Sequence, residues 1–179
     1  MQRLGFLVAI CALSAACAST GAVPQPFPTP GGSAPAGGTR DPDRTVAAPI
    51  APLTPDQALG HRIAATALEL RGVPYRNGGA DPTGFDCSGL VVYVFTRHGR
   101  TVPRQTSAQF AVGQAVGRTD LRAGDLVFFS TVAPGASHVG IALDDDEFVH
   151  APSSNGVVRV ERLTTTYWRT RFVGARRVK

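Results

Sequence analysis

Phe85-Asp86-Cys87-Ser88-Gly89-Leu90 is the stretch from which the rest of this chain is read. The apolar run Leu90, Val91, Tyr93, Val94 and Phe95 follows at once and closes at Gly99, so the spacing predicts a largely buried helix that begins at the cysteine. A thiol there feels the partial positive charge of a helix N-terminus, which favours the thiolate. The competing reading is a small buried cysteine, the commoner fate of this residue. Polar Asp86 and Ser88 on either side do not describe a core, and they favour a nucleophile.

Working outward, Thr54-Pro55-Asp56 is a helix-start signal, and Ala58, Ile63, Ala67, Leu68 and Leu70 follow at helical spacing until Gly72 and Pro74. Tyr75 to Gly84 reads as a Gly- and Asn-containing loop leading to Cys87. Downstream, short apolar runs at 125–130, 138–143, 147–150, 157–161 and 171–178 alternate with turn residues and read as strands. Helices first and strands afterwards give an α+β fold: N-terminal helices packed on an antiparallel sheet of five to six strands.

A cysteine nucleophile needs a base, and the base needs an orienting group. His138 opens one predicted strand, His150 closes the next, and Asp144-Asp145-Asp146 between them is a hairpin turn. Such a hairpin brings its far ends together, so the two histidines are expected side by side. A zinc site built from Cys87, His138 and His150 is the alternative, but the paired Cys and His spacings typical of zinc are missing and no metal is expected. His61 falls among ordinary polar positions of the first helix, and His98 suits the end of the second.

The N-terminus reads as an export signal: Arg3, then the apolar and small-residue run from Leu4 to Ala16. Ser14-Ala15-Ala16-Cys17 resembles a lipoprotein signal in which Cys17 is lipidated, although Leu13 stands one place further from the cysteine than such signals prefer. Cleavage after Ala16-Cys17-Ala18 is the alternative. The expected division is a signal over 1–16, a Pro- and Gly-rich tether over 17–56 and a domain carrying the nucleophile over 57–179; eight of the 14 prolines precede Pro55. If Cys17 is lipidated, Ala18 rather than Asp at the next position suggests sorting to an outer membrane, so a periplasmic, anchored protein is expected. Of three cysteines only Cys87 lies in the domain, which excludes an internal disulfide framework there. The net charge of +5 is carried by scattered arginines without interleaved aromatics, a poor pattern for nucleic acid. A monomer is expected, with no cofactor.

With these residues in place, the chain resembles the NlpC family of bacterial cell-wall cysteine peptidases, which have a compact papain-like fold. The resemblance rests on Gly72 to Gly79, Phe85 to Leu90, Pro103 to Gln109, Gly124 to Phe129, His138 to Ile141 and Phe148 to Ala151. It implies Cys87 as nucleophile, His138 as base, and His150 as the residue orienting His138. It implies Tyr75 as a partner of the Cys87 amide in holding the oxyanion, one such donor being worth about 3 kcal/mol; packing on Pro74 is the plainer role. Asp86 and Ser88 match residues that hold the substrate's amine or nearby backbone, while Asp86 also suits a helix cap. Asp125 reads as a turn residue. The implied substrate is a peptidoglycan stem peptide, cut at the D-glutamyl–diaminopimelate bond or at the cross-link. A non-catalytic wall-binding domain, or an amidase or acyltransferase on other amides, remains the alternative.

Overall fold

The computed structural model describes residues 52–153 and 156–179. The expected signal, Cys17 and nearly all of the tether therefore lie outside the described residues. The first helix, α1 (Pro55–Glu69), begins two residues before the expected domain start. Thr54 and Gln57 form a reciprocal capping box, and Pro55 occupies the first turn, where its missing N–H costs nothing.

A small hairpin, β1 (Ala80–Asp81) and β2 (Gly84–Phe85), leads into α2 (Cys87–Arg97). Leu90, Val91, Val94 and Phe95 on α2 are fully buried, and each contributes about 1.5–3 kcal/mol of burial. Helix α3 (Thr106–Phe110) and strand β3 (Gln114–Val116) have no counterpart among the elements expected from sequence. Next come β4 (Leu126–Phe129), β5 (His138–Ala142), β6 (Glu147–His150), β7 (Arg159–Arg162), the short α4 (Thr166–Arg169) and β8 (Phe172–Arg177).

The six-stranded antiparallel sheet has the order β3-β8-β4-β5-β6-β7, as the α+β expectation requires. Its central strands have cores on both faces, which is why β4 and β5 are continuous apolar runs. On one face Phe128, Val139, Ile141 and Val149 pack with α1 and α2. On the other, Phe129, Phe148, Leu163 and Trp168 form a smaller cluster. Asp125, the expected turn residue, is buried beside this sheet, where Arg177 pairs with both of its carboxylate oxygens at 2.8 and 2.7 Å. Among the described residues no helix is long and apolar enough to cross a membrane.

Candidate active site

Cys87 is the first residue of α2, and Asp86 caps the helix by accepting from the Gly89 N–H at 2.7 Å. The sulfur is directed toward β5. The Val139 and Ser88 backbone N–H groups point at it, and the Thr106 hydroxyl lies 3.8 Å away. The thiol therefore rests against the peptide that joins His138 to Val139. Burial dominates these donors and pushes the Cys87 thiol above its ordinary range. This corrects the expectation that the helix terminus would lower it: near neutral pH the resting group is a thiol.

His138 and His150 are neighbours, as the hairpin reading requires. His138 Nε2 and His150 Nδ1 are 2.8 Å apart, with the rings nearly perpendicular. Asp144 caps the intervening turn by accepting from the Asp146 and Glu147 N–H groups. His138 Nδ1 takes no protein hydrogen bond among the described residues and is the ring nitrogen left for the thiol. Desolvation, and then the neighbouring imidazole, lower the His138 pKa to about 3, and burial lowers that of His150 as well. Both rings are neutral at rest.

Register explains a fourth member that sequence reading missed. Val149 pairs with Ile141, and His150 pairs with Arg159, so His138, His150 and Glu161 fall on one sheet face along a diagonal. Glu161 Oε1 lies 3.6 Å from His150 Nε2. Arg159 Nε (2.6 Å) and the Trp168 indole N–H both donate to Glu161, and with His150 they hold its pKa at about 2. Trp168 also stacks on His138, at 5.6 Å between centroids and 24° between planes. The signal for Glu161 was the alternation in Arg159-Val160-Glu161, which becomes informative only once the strand register is known.

On the other side of the sulfur, Asp86 is heavily committed. Its oxygens accept from Gly89 N, Gly78 N (3.0 Å), Ser88 Oγ (3.3 Å) and two Arg104 nitrogens (2.9 and 2.5 Å). Arg104 Nη1 also donates to Ser88 Oγ at 2.8 Å. A substrate amine has no vacant acceptor on Asp86 unless Arg104 moves, so the cap role is realised and Arg104 becomes the polar group presented beside the thiol. Tyr75 stands close by: burial and the nearby Cys87 and Asp86 raise its pKa, and its hydroxyl takes no protein partner among the described residues. The Cys87 amide is likewise free, as the first amide of a helix has no intrahelical acceptor. His61 is exposed on α1, and the His98 ring bonds Thr66 Oγ1 at 2.9 Å.

A half-buried thiol, a neutral imidazole with an oriented far nitrogen, and two free donors near the sulfur make a site for acyl transfer. The model of the NlpC/P60 family matches residues 72–177. The murein DD-endopeptidase MepS/murein LD-carboxypeptidase of Escherichia coli K12 is 42% identical over 118 residues, 65% of this chain and 62% of that protein. The chain thus spans less than two thirds of that relative's length. A crystal structure of an NlpC/P60 family protein from Bacillus cereus superposes with a TM-score of 0.62 at 32% identity, covering 66% of this chain and 39% of that one. RipD of Mycobacterium tuberculosis, described as a non-catalytic NlpC/P60 domain protein adapted to peptidoglycan binding, superposes with a TM-score of 0.57 at 26% identity, covering 68% and 98%.

Proposed function

This chain belongs to the NlpC/P60 family, and from that premise we propose that it is a cell-wall cysteine endopeptidase with Cys87 as nucleophile and His138 as base. The observation that carries the reading is the polar chain behind the sulfur: a thiol against the His138–Val139 peptide, and His138 in turn 2.8 Å from His150. The non-catalytic alternative, the role described for RipD, gives no reason to keep this chain.

In the proposed reaction His138 Nδ1 takes the Cys87 proton as the sulfur attacks the scissile carbonyl. The oxyanion is held by the Cys87 N–H and the Tyr75 hydroxyl. His138 then gives the proton to the departing amine, and a water deprotonated by His138 attacks the thioester and frees Cys87. Trp168 supports the imidazolium through its ring face. Arg104, with Ser88 and Asp86 behind it, faces the acyl side of the substrate.

The substrate class is the stem peptide of peptidoglycan. The name of the Escherichia coli relative favours the D,D cross-link, and the D-glutamyl–diaminopimelate bond is the other candidate in the same polymer. Action on this polymer requires export, in keeping with the signal read in 1–16 and the lipid anchor read at Cys17. Mass spectrometry of the mature N-terminus tests the anchor, and an unmodified start beyond residue 17 excludes it.

Incubation of the protein with purified sacculi, followed by mass spectrometry of released fragments, tests the function. Soluble muropeptides that carry new termini at one stem-peptide bond, and that disappear with Cys87→Ala, are the expected result. Sacculi bound but left intact would support the non-catalytic reading instead.

A further inference from the structure

We propose that Glu161 is a positioning residue for this reaction: by accepting from His150 Nε2–H it fixes the proton order of the histidine pair, so that the bare nitrogen of His138 is Nδ1, the one available to the thiol. The inference rests on the catalytic reading of Cys87 and His138, and it adds a fourth member to the chain.

The argument begins with an orphan. His150 is fully buried, and its Nε2 has no hydrogen-bond partner among the described residues. A buried ring nitrogen without a partner is costly whether or not it carries a proton. Glu161 Oε1, at 3.6 Å, is the acceptor aimed at it. That separation exceeds a hydrogen bond, and catalytic hydrogen bonds of unliganded sites are commonly long and tighten when substrate binds.

Glu161 is held in place from two elements. Arg159 on its own strand donates to Oε1 through Nε at 2.6 Å, with its Nη2 ion-paired 2.5 Å from the same oxygen, and the Trp168 indole N–H donates from α4. The charged or titratable groups facing Glu161 are therefore His150 on β6 and Arg159 on β7, with His138 on β5 beyond His150. Arg162 pairs elsewhere, with Asp146 at 2.7 Å.

The proton order then follows from donor and acceptor rules. A carboxylate only accepts, so the neutral His150 ring carries its proton on Nε2. Its Nδ1 is then an acceptor, and across 2.8 Å it receives the proton of His138 Nε2–H. A neutral His138 with its proton on Nε2 has a lone pair on Nδ1. Reversing any one step leaves two lone pairs or two N–H groups facing each other. Glu161 stays ionised throughout and takes up no proton; its charge favours the imidazolium that forms when His138 accepts the thiol proton, in the way an aspartate supports the histidine of a serine hydrolase.

Two measurements on the full chain test this. In the wild type, nitrogen chemical shifts of the histidine rings at pH 7 should show both His138 and His150 protonated on Nε2, with pyridine-like Nδ1. A His150 protonated on Nδ1 would overturn the proposal. Second, the rate of sacculus cleavage is followed against pH in wild type and Glu161→Gln, a substitution that keeps shape and removes charge. The expected result is a fall of about tenfold or more in the plateau rate, the scale of one unit charge lost a few ångströms from a partly buried site, with the acid limb moved to lower pH. An unchanged rate and limb would contradict it. Should Glu161→Gln fail to fold, the wild-type ring shifts decide alone. If the wild type leaves sacculi intact, the catalytic reading fails instead, and the ring shifts still report the proton order.

Discussion

Cys87 meets two opposing influences, and their sizes decide its resting state. A helix N-terminus favours a nearby negative charge by about 0.3–1 kcal/mol, whereas burial raises the thiol pKa and wins. The same burial keeps His138 neutral, so the pair rests as thiol and imidazole, and ionisation waits for substrate. This has a consequence for stability. The His138 pKa falls from an ordinary 6.5 to about 3 on folding, so the unfolded chain binds a proton there that the folded chain excludes. The stabilising effect is complete above pH 6.5 and is lost as pH falls from 6.5 toward about 3, by up to about 1.4 kcal/mol per pH unit. Denaturant unfolding at pH 6.5 and pH 5 should show wild type losing more stability than His138→Gln; equal losses would contradict the buried, neutral imidazole. Cys87, His138 and His150 were legible in sequence because each stands at a predicted element boundary. Glu161 was not, since a carboxylate on an edge strand looks like solvated charge until pairing places it behind His150.

At the scale of elements, α2 and the loop before it are fitted backbone to backbone. Asp86 N–H donates to the Gly79 carbonyl at 3.0 Å, and a Cβ on Gly89 would lie 2.0 Å from that oxygen. Gly89→Ala must therefore push the loop carrying Tyr75 off the helix. Overpacking of this kind costs about 1–3 kcal/mol, and a drop of several degrees or more in Tm is expected by calorimetry; an unchanged Tm would mean that the loop gives way freely. The two long helices and the strands β4 to β8 were legible from periodicity and turn residues. Helix α3 and strand β3 were not, because five and three residues are too short to show a period. Their placement comes from tertiary bonds instead. Buried Gln109 donates to the Ser88 and Pro103 carbonyls at 3.1 and 2.8 Å, and β3 is held by pairing with β8.

For the molecule as a whole, the sheet separates two jobs. Its larger core carries α2 and hence the sulfur, and its smaller aromatic core carries His138, His150 and Trp168. The two meet at the start of β5, where the thiol touches the peptide after His138. Sequence order alone gave the α+β layering, but not that a continuous apolar strand such as Leu126–Phe129 serves both cores. The dependence of the sulfur on the imidazole is the claim on which the enzyme reading rests. It is tested most directly by the rate at which wild type and His138→Ala cleave purified sacculi as pH is varied. With an imidazole of pKa about 3 that stays unprotonated and takes the thiol proton only as substrate is attacked, the wild-type cleavage rate should stay nearly level from about pH 7 down to about pH 5, whereas a reaction through a freely ionising thiol slows about tenfold per pH unit there. In His138→Ala the rate should drop by at least about a hundredfold at pH 5. A wild-type rate that falls tenfold per unit, and that His138→Ala leaves unchanged, would contradict the account.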